Sequence, residues 1–284
     1  MSRGFEKRDK NCLLVLTDSR LKNLKTKLES DDRISSLCCD IYVERINGAK
    51  LSYLIDRAIE YLDGSYYGRR YNVKYVVLLA GICDFTVLKF TQNKRYVEYS
   101  RREVVLHELQ DKIRSVYQKY SGKINIGTFA PACLEQSLTT QGLDSSLIAN
   151  LESSQSQLIT DIEETNKIIV EHNKISGVET IDLADKAYSH SKKKKEGKRR
   201  SKFVGKKFVD GVHPSDNLKE KWHSLSIEVI LREAKRLPPR ELSGDSVKRK
   251  TGATSSDSSE DEDNKCFKRK RQANGKISVG TSRP

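Results

Sequence analysis

Between Asn11 and Leu237 the chain alternates short apolar runs, rich in β-branched residues, with longer stretches in which apolar residues return every three or four positions. The runs CLLVLT (12–17), LCCDIYV (37–43), KYVVLLA (74–80), KINIGTF (123–129) and VETIDL (178–183) predict five β-strands. Their near-continuous apolar character suits strands covered on both faces. Between them, Leu51, Leu54, Ile55, Ala58, Ile59 and Leu62 fall on one helical stripe. Leu109, Ile113, Val116 and Tyr120 form a second stripe, and Leu147, Leu151, Leu158, Ile162 and Ile169 predict a long helix. A last helix is expected from near Ser215, carrying Trp222, Leu225, Val229 and Leu231. All these stripes are read as core. Strands alternating with helices make βαβ units, whose right-handed crossovers predict a three-layer α/β/α fold with a flavodoxin-like five-stranded parallel sheet.

Charge divides the chain into parts. The net charge of +14 is concentrated in two segments: residues 186–207 hold 11 Lys/Arg and one acid, and residues 240–284 hold 11 Lys/Arg and 7 acids. The remainder is neutral, which disfavours a dedicated DNA-binding domain with cations spread over a face. One domain is therefore expected over 1–237, with a basic insertion at 186–207 too dense in like charge to pack, most easily solvated as a surface loop. Residues 238–284 read as a disordered mixed-charge tail. That tail holds DSSEDED (257–263) and KRKR (268–271), so Ser258 and Ser259 are candidate phosphoacceptors and KRKR a candidate nuclear-import signal.

No run of eighteen apolar residues occurs and the N-terminus MSRGFEKRDK is charged, so neither a membrane span nor a secretory signal is expected. The expected location is intracellular, nuclear or cytoplasmic. Cys12, Cys38, Cys39, Cys83, Cys133 and Cys266 form no CxxC pair and read as reduced, mostly buried thiols, with no metal site implied. No GxGxxG follows the first strand and no GxxxxGK[ST] occurs, which disfavours a nucleotide- or flavin-binding protein.

Candidate chemistry gathers where the strands end, the edge at which open α/β sheets bind ligands. Thr17-Asp18-Ser19-Arg20-Leu21 follows the first strand, Ile46-Asn47-Gly48-Ala49 the second, Gly81-Ile82-Cys83-Asp84 the third, and Asp210-Gly211-Val212-His213-Pro214 the fifth. An Asp three residues before a His can orient the imidazole through one nitrogen and leave the other to take a serine proton. Ser19, His213 and Asp210 are thus a candidate triad. His107, His172, His190 and His223 follow no strand closely and read as structural or surface residues.

These four blocks resemble those of the SGNH (GDSL-like) hydrolase family, over nearly the whole body from Leu13 to about Leu237. The resemblance implies that Ser19 is the nucleophile, His213 the general base and Asp210 its orienter, with backbone amides of Ser19 and Gly48 donating to the oxyanion. It implies no cofactor and a small acyl-ester substrate. Asp84 would mainly hold its loop. Two positions depart from the family pattern: Thr17 stands where the first block has glycine, and Cys83 replaces the asparagine that supplies a side-chain oxyanion donor. A thiol donates weakly, and loss of one such donor costs about 2.7 to 4 kcal/mol of transition-state stabilisation. The expected function is a serine esterase or acyl hydrolase acting through an acyl-Ser19 intermediate, slowed by Cys83 in place of the asparagine. The alternative is an SGNH-fold binding module that contacts nucleic acid or another acidic partner through the basic loop and tail.

Overall fold

The computed structural model describes residues 11–64, 72–91, 93–100, 103–195 and 198–238. Side chains of 103–105 and 190–201 lie outside that description, as do Ser258, Ser259, Cys266, DSSEDED and KRKR.

The central sheet contains β1 (Asn11–Thr17), β2 (Asp40–Arg45), β3 (Asn72–Leu79) and β6 (Ile124–Ile126), all parallel, in the order β2-β1-β3-β6. Side chains along β1 alternate between the two faces. Cys12, Leu14 and Leu16 point into one core and Leu13 and Val15 into the other, while Val76 and Leu78 of β3 face the first and Tyr75, Val77 and Leu79 the second. Because both faces are covered, the CLLVL run has no polar alternation. Each fully buried Leu, Ile or Val contributes about 1.5 to 3 kcal/mol.

The first face packs helices α2 (Leu51–Leu62), α4 (Glu103–Lys119) and α6 (Leu151–Ile175); the second packs α1 (Leu24–Glu29) and α8 (Asp216–Arg236). The expected stripes face the core: Leu51, Leu54, Ile55 and Ala58 are buried on α2 with Ile59 and Leu62 partly buried beside them, and Leu109, Ile113 and Val116 are buried on α4 with Tyr120 just past its end. Leu147 is an exception, since it ends a 3-10 turn (Ser145–Leu147) before α6 and is exposed. Ser215 caps α8 by accepting from the Leu218 amide, which sets the start of that helix where the pattern put it.

The structure differs from the expected five strands at the last one. Residues 178–183 make a single parallel bridge, Thr128 to Asp182, beside β6. Side chains take over the ladder there: the Asn125 amide donates to the Glu179 carbonyl at 2.8 Å, and the Thr128 hydroxyl donates to Asp182 at 2.7 Å. A short helix α7 (Leu183–Ala187) follows at once. The four strands with this fifth bridge keep the flavodoxin-like order.

Two hairpins lie outside the central sheet. β4 (Thr86–Thr91) and β5 (Lys94–Tyr99) follow α3 (Ile82–Phe85), and their turn passes through Asn93 with φ 61°. Their β-branched and aromatic residues Val87, Phe90, Tyr96 and Val97 suit strands by propensity, and no strand was expected there. The basic insertion is likewise an antiparallel ribbon, β7 (Tyr188–Lys195) and β8 (Lys198–Phe203), where an open surface loop was expected. No described helix is long and apolar enough to cross a membrane.

Candidate active site

The carboxyl end of β1 builds the first half of the site. The Thr17 hydroxyl donates to the Leu79 carbonyl at 3.2 Å, so threonine in place of the first-block glycine ties the end of β1 to the end of β3. Asp18 then turns the chain: its Oδ1 accepts from the Arg20 amide at 2.8 Å and caps the 3-10 turn Ser19–Leu21. This leaves Ser19 half-buried at the first position of the turn, between two buried ionisable residues. Burial pushes the Asp18 carboxyl up, opposed by the Arg20 charge and amide and by His213.

Arg20 was not singled out in the sequence, and it is the least expected part of the site. It is only 4% exposed, has no carboxylate in ion-pair contact, and donates Nη1 to the Ala130 carbonyl at 3.0 Å. Its Nε and Nη2 have no hydrogen-bond partner. The guanidinium instead lies 5.0 Å from the Trp222 ring centroid and 5.7 Å from that of Phe208. Burial lowers its pKa, an effect opposed by Asp18, Cys83 and Asp210. A charged residue beside a strand-end serine, with a tryptophan further on, is too common a sequence feature to have marked it.

The second half is the loop before α8. Asp210 Oδ1 accepts from the amides of Val212 at 3.0 Å and His213 at 2.7 Å, closing the loop on itself. Val209 N donates to His213 O, and Phe208 bridges to Pro214, so the loop has a short two-stranded stem. Gly211 sits at φ 81°, where a Cβ would lie 2.3 Å from the Cys133 carbonyl, and that carbonyl's own residue donates its amide to Gly211 O at 2.7 Å. Only glycine fits this contact.

The two halves meet. Ser19 Oγ lies 3.2 Å from His213 Nε2, and His213 Nδ1 lies 2.8 Å from Asp210 Oδ2. Burial alone would raise the Asp210 pKa, but the hydrogen bonds from the His213 ring and amide and from Val212 outweigh it and hold the carboxyl below its ordinary range. An ionised carboxylate only accepts, so Nδ1 carries a proton, and in the neutral imidazole with that tautomer Nε2 is the acceptor that faces the serine hydroxyl.

The two other blocks flank this turn. Ile46 N donates to Thr17 O at 2.8 Å, which brings the turn holding Gly48 alongside the end of β1; Gly48 itself is exposed. Cys83 is half-buried on α3, where burial and then the Asp18 charge push its thiol up to about 11. It is therefore a neutral S–H near neutral pH. Asp84 does hold structure: its carboxylate accepts from the Leu51 amide at 2.6 Å and the Ser52 hydroxyl at 2.8 Å, joining α3 to the start of α2. Burial raises its pKa, and those hydrogen bonds oppose the shift.

The remaining histidines stand apart. His107 is exposed on α4, His172 stacks on Tyr117, His190 lies in β7, and His223 is buried on α8. Of the described cysteines, Cys12 and Cys39 are buried and Cys38 is exposed. Among the described residues no three His, Cys, Asp or Glu side chains form a group that could hold a metal ion.

No protein-family model matches the chain, and no curated protein matches it. Solved structures do. One is a mutant of Axe2, an acetyl-xylooligosaccharide esterase from Geobacillus stearmophilus, with 13% identity and a TM-score of 0.44 over 78% of this chain and 93% of that one. Another is the psychrotrophic esterase EstA from Pseudoalteromonas sp., with 12% identity and a TM-score of 0.41 over 78% of this chain and 97% of that one.

Proposed function

We propose that the protein is a serine hydrolase of the SGNH type that cleaves small acyl esters through an acyl-Ser19 intermediate. The observation that carries this reading is the hydrogen-bonded series from Ser19 Oγ through both ring nitrogens of His213 to Asp210.

In this reading His213 Nε2 takes the Ser19 proton as Oγ adds to the ester carbonyl carbon. The resulting imidazolium is stabilised by Asp210, which stays ionised. Collapse of the tetrahedral intermediate breaks the carbon–oxygen bond to the alcohol, and His213 returns the proton to that leaving oxygen. Water then enters, gives a proton to His213 and attacks the acyl carbon, releasing the carboxylic acid and restoring Ser19. The developing oxyanion takes its hydrogen bonds from the amides of Ser19 and Gly48. Cys83 occupies the third donor position with a weak S–H, so turnover is slow compared with an enzyme that has an amide there.

The reading places the hydrolase body in 1–237, with 238–284 as an appended tail. Its test is hydrolysis of a chromogenic acetate ester, together with labelling by a fluorophosphonate, in the wild type and in Ser19→Ala. Turnover and labelling confined to the wild type support it. A folded wild type that neither turns over nor labels, or a Ser19→Ala variant of equal activity, overturns it.

A further inference from the structure

The ribbon β7–β8 sets like charges against each other. Its register places Lys194 opposite Arg199 and Lys195 opposite Lys198. Directly opposed like charges destabilise an antiparallel pair, and a two-stranded ribbon has little stability of its own in water to offset them. From Lys192 to Arg200 there are seven cations and one acid, whereas the chain outside 186–207 and 240–284 is neutral. Cationic residues are concentrated on one ribbon and occupy opposite positions of its backbone register.

The root of the ribbon, in contrast, is firmly held. Tyr188 packs edge-on against Phe203 at 5.8 Å and donates its hydroxyl to Glu163 at 3.0 Å. Phe203 packs on Phe208, the residue bridged to Pro214 beside His213. Lys207 Nζ donates to the carbonyls of Lys186 and Tyr188, both at 2.7 Å, tying the base shut. A stem held by these contacts thus leads into the stretch of sequence that concentrates the cations.

We propose that the β7–β8 ribbon is a nucleic-acid-binding element that grips the phosphodiester backbone. Phosphates supply a regular series of permanent negative charges, and counterion release makes their pairing with lysine and arginine favourable. The major groove of a duplex admits a two-stranded β-ribbon, and Arg199 and Arg200 can each hold a phosphate through two parallel N–H donors. A membrane surface is the poorer match, because residues 192–202 contain no large apolar side chain to enter a bilayer. This inference does not depend on the hydrolase reading, since the binding is measured without turnover.

The experiment measures fluorescence anisotropy of a labelled 20-base-pair duplex with the full-length chain between 50 and 300 mM salt. Two variants accompany it. One carries Lys192→Ser, Lys193→Ser, Lys194→Ser, Lys195→Ser, Lys198→Ser, Arg199→Ser and Arg200→Ser; the other carries Lys268→Ser, Arg269→Ser, Lys270→Ser and Arg271→Ser in the tail. Wild type is expected to bind with a steep loss of affinity as salt rises, and the ribbon variant to lose at least about 100-fold at low salt with a visibly shallower slope. The tail variant is expected to keep most of the affinity. Equal binding by the ribbon variant, or loss confined to the tail variant, overturns the proposal. So does displacement of the duplex by poly-glutamate at the charge concentration at which unlabelled duplex displaces it, or binding only to phosphatidylserine vesicles.

Discussion

The Arg20 guanidinium carbon lies 5.0 Å from the centroid of the Trp222 ring, so the residue next to Ser19 is packed onto the last helix, 202 positions away along the chain. With the Phe208 ring centroid 5.7 Å away and that ring in turn edge-on to Trp222, Arg20 joins the Ser19 turn, the stem of the His213 loop and α8. It fills volume among apolar and aromatic groups, and two of its nitrogens find no acceptor. Its volume therefore matters more to folding than its charge. Arg20→Met is expected to keep stability within about 1 kcal/mol of wild type or raise it, because removing an unpaired buried charge offsets the lost bond to Ala130. Arg20→Ala, which leaves a cavity, is expected to cost about 2 to 5 kcal/mol. Urea denaturation of the two variants checks this; equal large losses in both would mean that the charge itself holds the site.

Cys83→Asn restores an amide donor at the third block. Under the hydrolase reading kcat is expected to rise by up to about 100- to 1000-fold, the range attributed to a single oxyanion donor. Steady-state kinetics on an acetate ester decide it. Unchanged kcat in a folded variant would place the third block away from the oxyanion.

The depressed Asp210 carboxyl makes stability depend on pH in one direction. Its unfolded value is near 3.9, so the stabilising contribution is complete above that pH and is lost as pH falls through the lower folded value. Asp210→Asn is thus expected to be less stable than wild type at pH 7, with the gap closing below about pH 3. Denaturation midpoints of both proteins at pH 7 and pH 2.5 test the sign; a gap that widens in acid contradicts it.

Gly211→Ala forces a Cβ against the Cys133 carbonyl at a positive φ. The variant is expected to lose about 2 kcal/mol or more, with His213 displaced from Ser19. Thermal unfolding gives the first quantity, and loss of fluorophosphonate labelling in the protein that remains folded gives the second. A neutral substitution would show that the loop can move freely.

Local pattern carried much of the architecture. Runs such as CLLVL and the stripes on α2 and α4 report burial on two faces or one, because hydrophobic spacing follows the pitch of strand and helix. The blocks around Ser19 and Asp210-x-x-His213 were legible for a similar reason: the Ser19 block falls where a predicted strand gives way to a loop, and Asp210 and His213 lie three residues apart on one loop after the basic insertion. Other features depended on contacts between distant residues. Residues 178–183 read as a strand, yet Asn125 and Thr128 hold them by side chains and reduce the ladder to one bridge. KKKKEGKRRSK read as a loop because like charges repel, yet the packing of Tyr188, Phe203 and Phe208 closes it into a ribbon.

The amino-acid sequence by itself determined the alternation of strands and helices, the grouping of charge and which side chains are candidates for chemistry, since each of these is a property of neighbours in the chain. Tertiary structure alone decided that Ser19 and His213, 194 residues apart, come to 3.2 Å, and that Arg20 is buried beneath them. Strand order and loop packing set those distances, and they come from the balance of many long-range contacts that no single segment contains.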